Sequence, residues 1–168
     1  MLEPAMYKSR QVVLREGDIC RHTIFVTEGC LRGFTTDKNG YEHVLSFAPP
    51  NWWMADLYSL ITQKTGTLHI QALEKTEALL LSKNRQEQLY RDIPKFERFF
   101  RILAENALVT HQQRLLDNMS LSAEERFELF CKKYPTLVGC LPQKQIASYI
   151  GVTPEFFSKM RSGMQKKG

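Results

Sequence analysis

The chain has 168 residues, 43% of them hydrophobic and 24% charged, an ordinary composition for one or two globular domains. No apolar run approaches the ~20 residues of a membrane helix. The opening MLEPAMYKSRQ lacks the apolar core and cleavage site of a secretory signal, so a cytoplasmic chain is expected.

Charge is lopsided. Residues 1–84 carry 9 Lys/Arg and 9 Asp/Glu, whereas residues 85–168 carry 14 and 9, the whole net charge of +5. A one-sided positive field favours a polyanionic partner, although a basic tail also serves plain solubility. Cys20, Cys30, Cys131 and Cys140 form no C-x-x-C pair and have no matching histidines, so reduced thiols and no metal site are expected.

Up to about residue 81 the sequence reads as short strands rich in β-branched and aromatic residues: Gln11–Arg15, Thr23–Thr27, Leu31–Thr36, Tyr41–Phe47, His69–Leu73 and Ala78–Leu81. The breaks carry turn chemistry, most clearly the hairpin signal Asp37-Lys38-Asn39-Gly40. Many short, evenly spaced strands predict a sandwich or jelly-roll barrel. Only about eight residues precede the first of them.

After Ser82 the signals turn helical. Asn84 with Glu87 resembles a capping box, and Asp92-Ile93-Pro94 places proline at a helix start. From Pro94 to Met119 nothing breaks a helix of about seven turns. Phe96, Phe99, Phe100 and Leu103 run down one side; Ile102, Val109 and Leu116 recur every seventh residue on another. Two apolar sides need two covers. The β-rich half supplies one, and either the same helix of a second copy or the chain's own core supplies the other. A second capping box, Ser122-Ala123-Glu124-Glu125, opens the next helix. Domains of residues 1–120 and 121–168 follow.

The most specific stretch is Pro142 to Arg161, which predicts helix, short turn, helix. Ala147 is small where helices cross, Gly151 suits a left-handed helix end, Thr153 an N-cap and Pro154 a first helical position. Ile146, Ile150, Val152, Phe157 and Met160 are spaced to form a shared core. That leaves Thr153, Glu155, Phe156, Ser158, Lys159 and Ser162 outward. These residue types suit phosphates and major-groove base edges.

At these residues the chain resembles the Crp/Fnr family of bacterial transcription regulators, through the glycine-punctuated strands, the Pro94–Met119 helix and Gln145-Ile-Ala-Ser-Tyr-Ile-Gly-Val-Thr-Pro-Glu155. The resemblance implies an α+β architecture: an N-terminal antiparallel β-roll, a long dimerisation helix and a C-terminal helix-turn-helix domain. The second helix of that pair would be the recognition helix, with Glu155 and Lys159 at base-contacting positions. The family's winged hairpin has no counterpart here, and Lys166 and Lys167 would supply some of its phosphate contacts. The segment ahead of the roll is also short, so the chain is either a shortened version or incomplete at its start.

The family's cyclic-phosphate cassette uses Gly-Glu, a short helix, and Arg followed by a small residue. Here Ala55-Asp56 replaces Gly-Glu, and the arginine position falls near Gly66. Losing a bidentate contact to phosphate costs a few kcal/mol, roughly a hundredfold in affinity. No cofactor is therefore assigned, and cyclic AMP does not suit the site. Asp56 reads equally as a cap for a helix over Tyr58–Thr62. A small-molecule pocket, if present, would draw on Asp56, Leu57, Gly66, Thr67, Thr110 and His111.

An enzyme is disfavoured: His22, His43, His69 and His111 are scattered, and no G-x-S-x-G or P-loop pattern occurs. Trp52-Trp53 reads as core or loop anchor. The function expected is a homodimeric DNA-binding regulator with an effector-sensing roll; the competing expectation is a small-molecule sensor or protein-interaction module with vestigial DNA binding.

Overall fold

The computed structural model describes residues 2–165. Eight strands come first, interrupted by one short helix: β1 (Glu3–Tyr7), β2 (Val12–Leu14), β3 (His22–Glu28), β4 (Leu31–Thr36), β5 (Glu42–Ala48), β6 (Trp53–Met54), α1 (Leu57–Thr62), β7 (His69–Ala72) and β8 (Thr76–Ser82). Five helices follow: α2 (Lys83–Asp92), α3 (Lys95–Ser120), α4 (Ala123–Lys133), α5 (Gln143–Ile150) and α6 (Pro154–Gln165). This is the α+β architecture, and none of the described helices is long and apolar enough to cross a membrane.

The strands form two four-stranded antiparallel sheets, ordered β1-β8-β3-β6 and β2-β7-β4-β5. Ile24, Val26 and Ala78 from one sheet and Leu31, Ala48, Ile70 and Ala72 from the other build the core between them. The β4–β5 hairpin turns at Asp37–Gly40: the Asp37 amide donates to the Tyr41 carbonyl, and Asp37 Oδ1 accepts from the Asn39 and Tyr41 amides.

The structure corrects the sequence expectation in three places. The residues thought to precede the first strand contain β1, which pairs with β8 from Glu3↔Leu80 to Tyr7↔Thr76. Trp53 and Met54 form the brief strand β6 against Phe25 and Ile24. Ser82, rather than Asn84, caps α2: β8 runs to Ser82, whose hydroxyl then accepts from the Arg85 amide at 3.3 Å. Asn84 lies inside the helix because the chain passes from strand to helix without a loop.

The chain divides into two compact units, the first ending at Phe99 and the second beginning at Phe100, within α3. In the second unit α4, α5 and α6 enclose an aromatic core. Phe127 meets Phe157 edge-on, with ring centroids 5.2 Å apart, and Phe130 packs on Tyr149 at 5.3 Å. By contrast, α3 buries none of its 26 residues. Neither apolar side of α3 is fully covered.

Candidate functional site

Four of the six residues assigned to a pocket come together in the first unit, around α1. Asp56 is its N-cap, in extended backbone conformation, with the carboxylate turned into the protein and only 1% exposed. Oδ1 accepts the Ser59 amide at 3.0 Å, while Oδ2 accepts the amides of Thr67 at 3.0 Å and Leu68 at 3.2 Å. Three backbone donors and the N-terminal end of a helix hold this negative charge. The carboxylate thereby ties α1 to the segment entering β7.

Gly66 closes the same knot. A Cβ on it would stand 2.4 Å from Asp56 Oδ2 and 3.2 Å from Ser59 Cβ, so no side chain fits without displacing the cap. Its amide donates to the Asp18 carbonyl, and its own carbonyl accepts from the Gly17 amide. Ser59 adds two bonds, accepting from the Cys20 amide and donating to the Lys64 carbonyl. Leu57 and Thr67 remain on the surface.

A cyclic phosphate does not fit these residues. The carboxylate to which the resemblance gives the ribose hydroxyl already accepts the chain's own amides, and Gly66, near which the resemblance puts the arginine, has no room for a side chain. His69 stacks on Phe34 at 5.0 Å, and its Nδ1 accepts from the Glu16 amide.

Thr110 and His111, the other two pocket residues, belong to the second unit. The Thr110 hydroxyl donates back to the Asn106 carbonyl at 2.8 Å. Proton uptake by His111 is disfavoured by partial burial first, then by the charges of Lys133 and Arg114.

The end of the second unit is a helix-turn-helix. α5 stops in a Schellman arrangement: Gly151 adopts φ +77°, the Val152 amide reaches back to the Ala147 carbonyl, and the Gly151 amide reaches the Ser148 carbonyl. Glycine takes this left-handed conformation without steric cost. Thr153 then caps α6, its Oγ1 accepting the Phe156 amide at 3.2 Å. Ile146, Ala147, Ile150, Phe157 and Met160 are buried, locking the two helices together, while Val152 is half-buried.

The opposite side of α6 is open. Thr153, Glu155, Phe156, Ser158, Lys159 and Ser162 are all exposed, with Phe156 at 50%. The Ser162 hydroxyl donates to the Ser158 carbonyl of its own helix. Lys166 and Lys167 lie outside the described residues.

The sequence reading missed Arg114. Its guanidinium carbon sits 4.0 Å above the Tyr149 ring, and Nη2 donates to the Tyr149 carbonyl at 2.6 Å. It thus ties α3 to the first helix of the pair. No local pattern announces it, since its partner lies 35 residues on.

Comparison with known proteins is consistent with this arrangement. Residues 5–92 match the cyclic nucleotide-binding domain family. An anaerobic regulatory protein of Haemophilus influenzae is 24% identical over 94% of the chain, which spans 65% of that protein's length. FixK2 of Bradyrhizobium japonicum superposes with a TM-score of 0.86 at 17% identity, over all of this chain and 86% of that one. A transcriptional regulator of the CRP/FNR family from Thermus thermophilus gives 0.77 at 16% identity, over 99% and 87% of the two chains. The match over residues 5–92 establishes that the chain belongs to the cyclic nucleotide-binding domain family, and its double-sheet domain, long helix and terminal helix-turn-helix share the fold of solved Crp/Fnr regulators.

Proposed function

We propose that this protein is a dimeric, DNA-binding transcription regulator whose β-roll has lost the site for a cyclic phosphate. The observation that carries the reading is the division of α6 into a buried side, Phe157 and Met160, and an exposed side bearing Glu155, Phe156, Ser158 and Lys159. An amphipathic helix held by a tight turn against a partner helix is the geometry that presents side chains to a major groove. Lysine there suits guanine O6 and N7, and glutamate suits cytosine N4. The positive charge of the second half supports the same reading.

Dimerisation rests on α3. Val109 and Leu116, one heptad apart, are 65% and 50% exposed, and Leu108 and Leu115 beside them are 69% and 65% exposed. A row of large apolar side chains open to water along one helix calls for a partner surface, and the heptad spacing suits a second α3. Two recognition helices would then meet half-sites about one turn of duplex apart, roughly 34 Å.

Fluorescence anisotropy with labelled random duplex, read across a salt series, tests the proposal. Affinity should fall steeply and linearly on logarithmic axes, by about 0.9 in slope for each phosphate contacted. A flat or absent response would favour a sensor or interaction module instead.

A further inference from the structure

A cleft of about 500 Å³ opens wholly within the second unit, between the C-terminal half of α3, α4 and α5. Its size lies in the range of small-molecule sites, roughly 300–1,000 Å³. Leu129, Phe130 and Tyr149 give it an apolar, partly aromatic wall, and Val109, the residue also given to the dimer seam, lines it as well. Arg114, Arg126, Lys132 and Lys133 also line it, against Asp117 as the one acidic residue among the described lining groups. Asp117 Oδ1 accepts from Gln113 at 2.9 Å.

Arg126 stands among the basic groups that line the cleft. Nη1 makes a long bond of 3.2 Å to the Asn118 carbonyl, while Nε is buried with no hydrogen-bond partner. An anionic oxygen is the acceptor a guanidinium favours most. The positive field is felt nearby: the charges of Lys133 and Arg114 add to burial in disfavouring protonated His111.

We propose that this cleft binds a small organic anion, a flat apolar body bearing one carboxylate, sulfonate or phosphate group, with the body on Leu129 and Tyr149 and the anionic group toward Arg126 and Lys132. The site is separate from the α1 region, where a family effector would be sought. It does not depend on DNA binding, so failure of the anisotropy experiment leaves it standing.

The test uses the full chain and 8-anilinonaphthalene-1-sulfonate, a fluorescent aromatic anion, with N-phenyl-1-naphthylamine as its uncharged counterpart. Saturable binding of one sulfonate probe per chain is expected. Lys132→Glu and Leu129→Trp, both at exposed positions, should each weaken it fivefold or more, the first by reversing charge and the second by filling the cleft. Arg126→Gln should do the same if circular dichroism shows it folded; otherwise the two surface variants decide. The uncharged probe should be indifferent to Lys132→Glu. Benzoate and phenyl phosphate then compete, and the stronger competitor identifies the preferred anionic group. Less than a fivefold loss in either surface variant, equal binding of the uncharged probe, or displacement by neither anion overturns the proposal.

Discussion

At Asp56 one carboxylate could have served two masters, a ribose hydroxyl or a helix end, and hydrogen-bond geometry decides between them. Both oxygens accept amides of the chain itself, the side chain is buried, and Gly66 packs so closely that Asp56 occupies the volume a side chain there would need. Gly66→Arg, which puts a guanidinium near the position the family uses, should therefore lower the thermal midpoint and yield no cyclic AMP binding by calorimetry. A gain of cyclic AMP binding without loss of stability would reopen the phosphate site. His111 gives a second expectation at this scale. Burial, Lys133 and Arg114 hold its pKa below the ordinary value of 6.5, so the unfolded chain takes up the proton first. Its contribution is present in full above pH ~6.5 and is lost as pH falls below that value. Thermal midpoints between pH 7 and 5 should fall less steeply in His111→Gln than in the parent protein.

Elements divide according to how far away their hydrogen-bond partners lie. The capping box of α4 is present in both halves, Ser122 Oγ accepting the Glu125 amide and Glu125 accepting the Ser122 amide. The glycine stop of α5 and the threonine cap of α6 were legible too, because each bond spans five residues or fewer. β1 and β6 were not. Both are edge strands of one sheet: β1 contains Pro4 and pairs with residues more than 60 positions away, and β6 is two residues long. Proline is tolerated at such an edge, and a strand so short shows no alternation to read. The same contrast explains why the outer face of α6 could be named in advance and Arg114 could not. Lys159→Ala should weaken binding to random duplex and reduce the salt slope by about one contact, ~0.9, while leaving the thermal midpoint within a degree or two because the side chain is exposed. Undiminished affinity would remove Lys159 from the interface.

For the molecule as a whole, the decisive quantity is apolar surface left open by one copy of the chain. The two-sided pattern of α3 was visible in the sequence, but which side meets which neighbour was not, because periodicity reports faces and not partners. The structure shows that a single chain buries no residue of α3, and that the heptad pair Val109 and Leu116 lies on open surface. Each large side chain removed from water contributes about 1.5–3 kcal/mol. Four such positions on each of two helices, Leu108, Val109, Leu115 and Leu116, therefore offer a driving force that can outweigh the roughly 4–15 kcal/mol cost of association. Val109→Glu would put two carboxylates into that seam, where their charge is desolvated without a partner. Light scattering should then report a monomer with unchanged helical content by circular dichroism. Affinity for a two-half-site duplex should drop more than affinity for a single half-site, because the loss is of bivalency rather than of base contacts. A variant that still scatters as a dimer would show that the heptad row lies outside the seam.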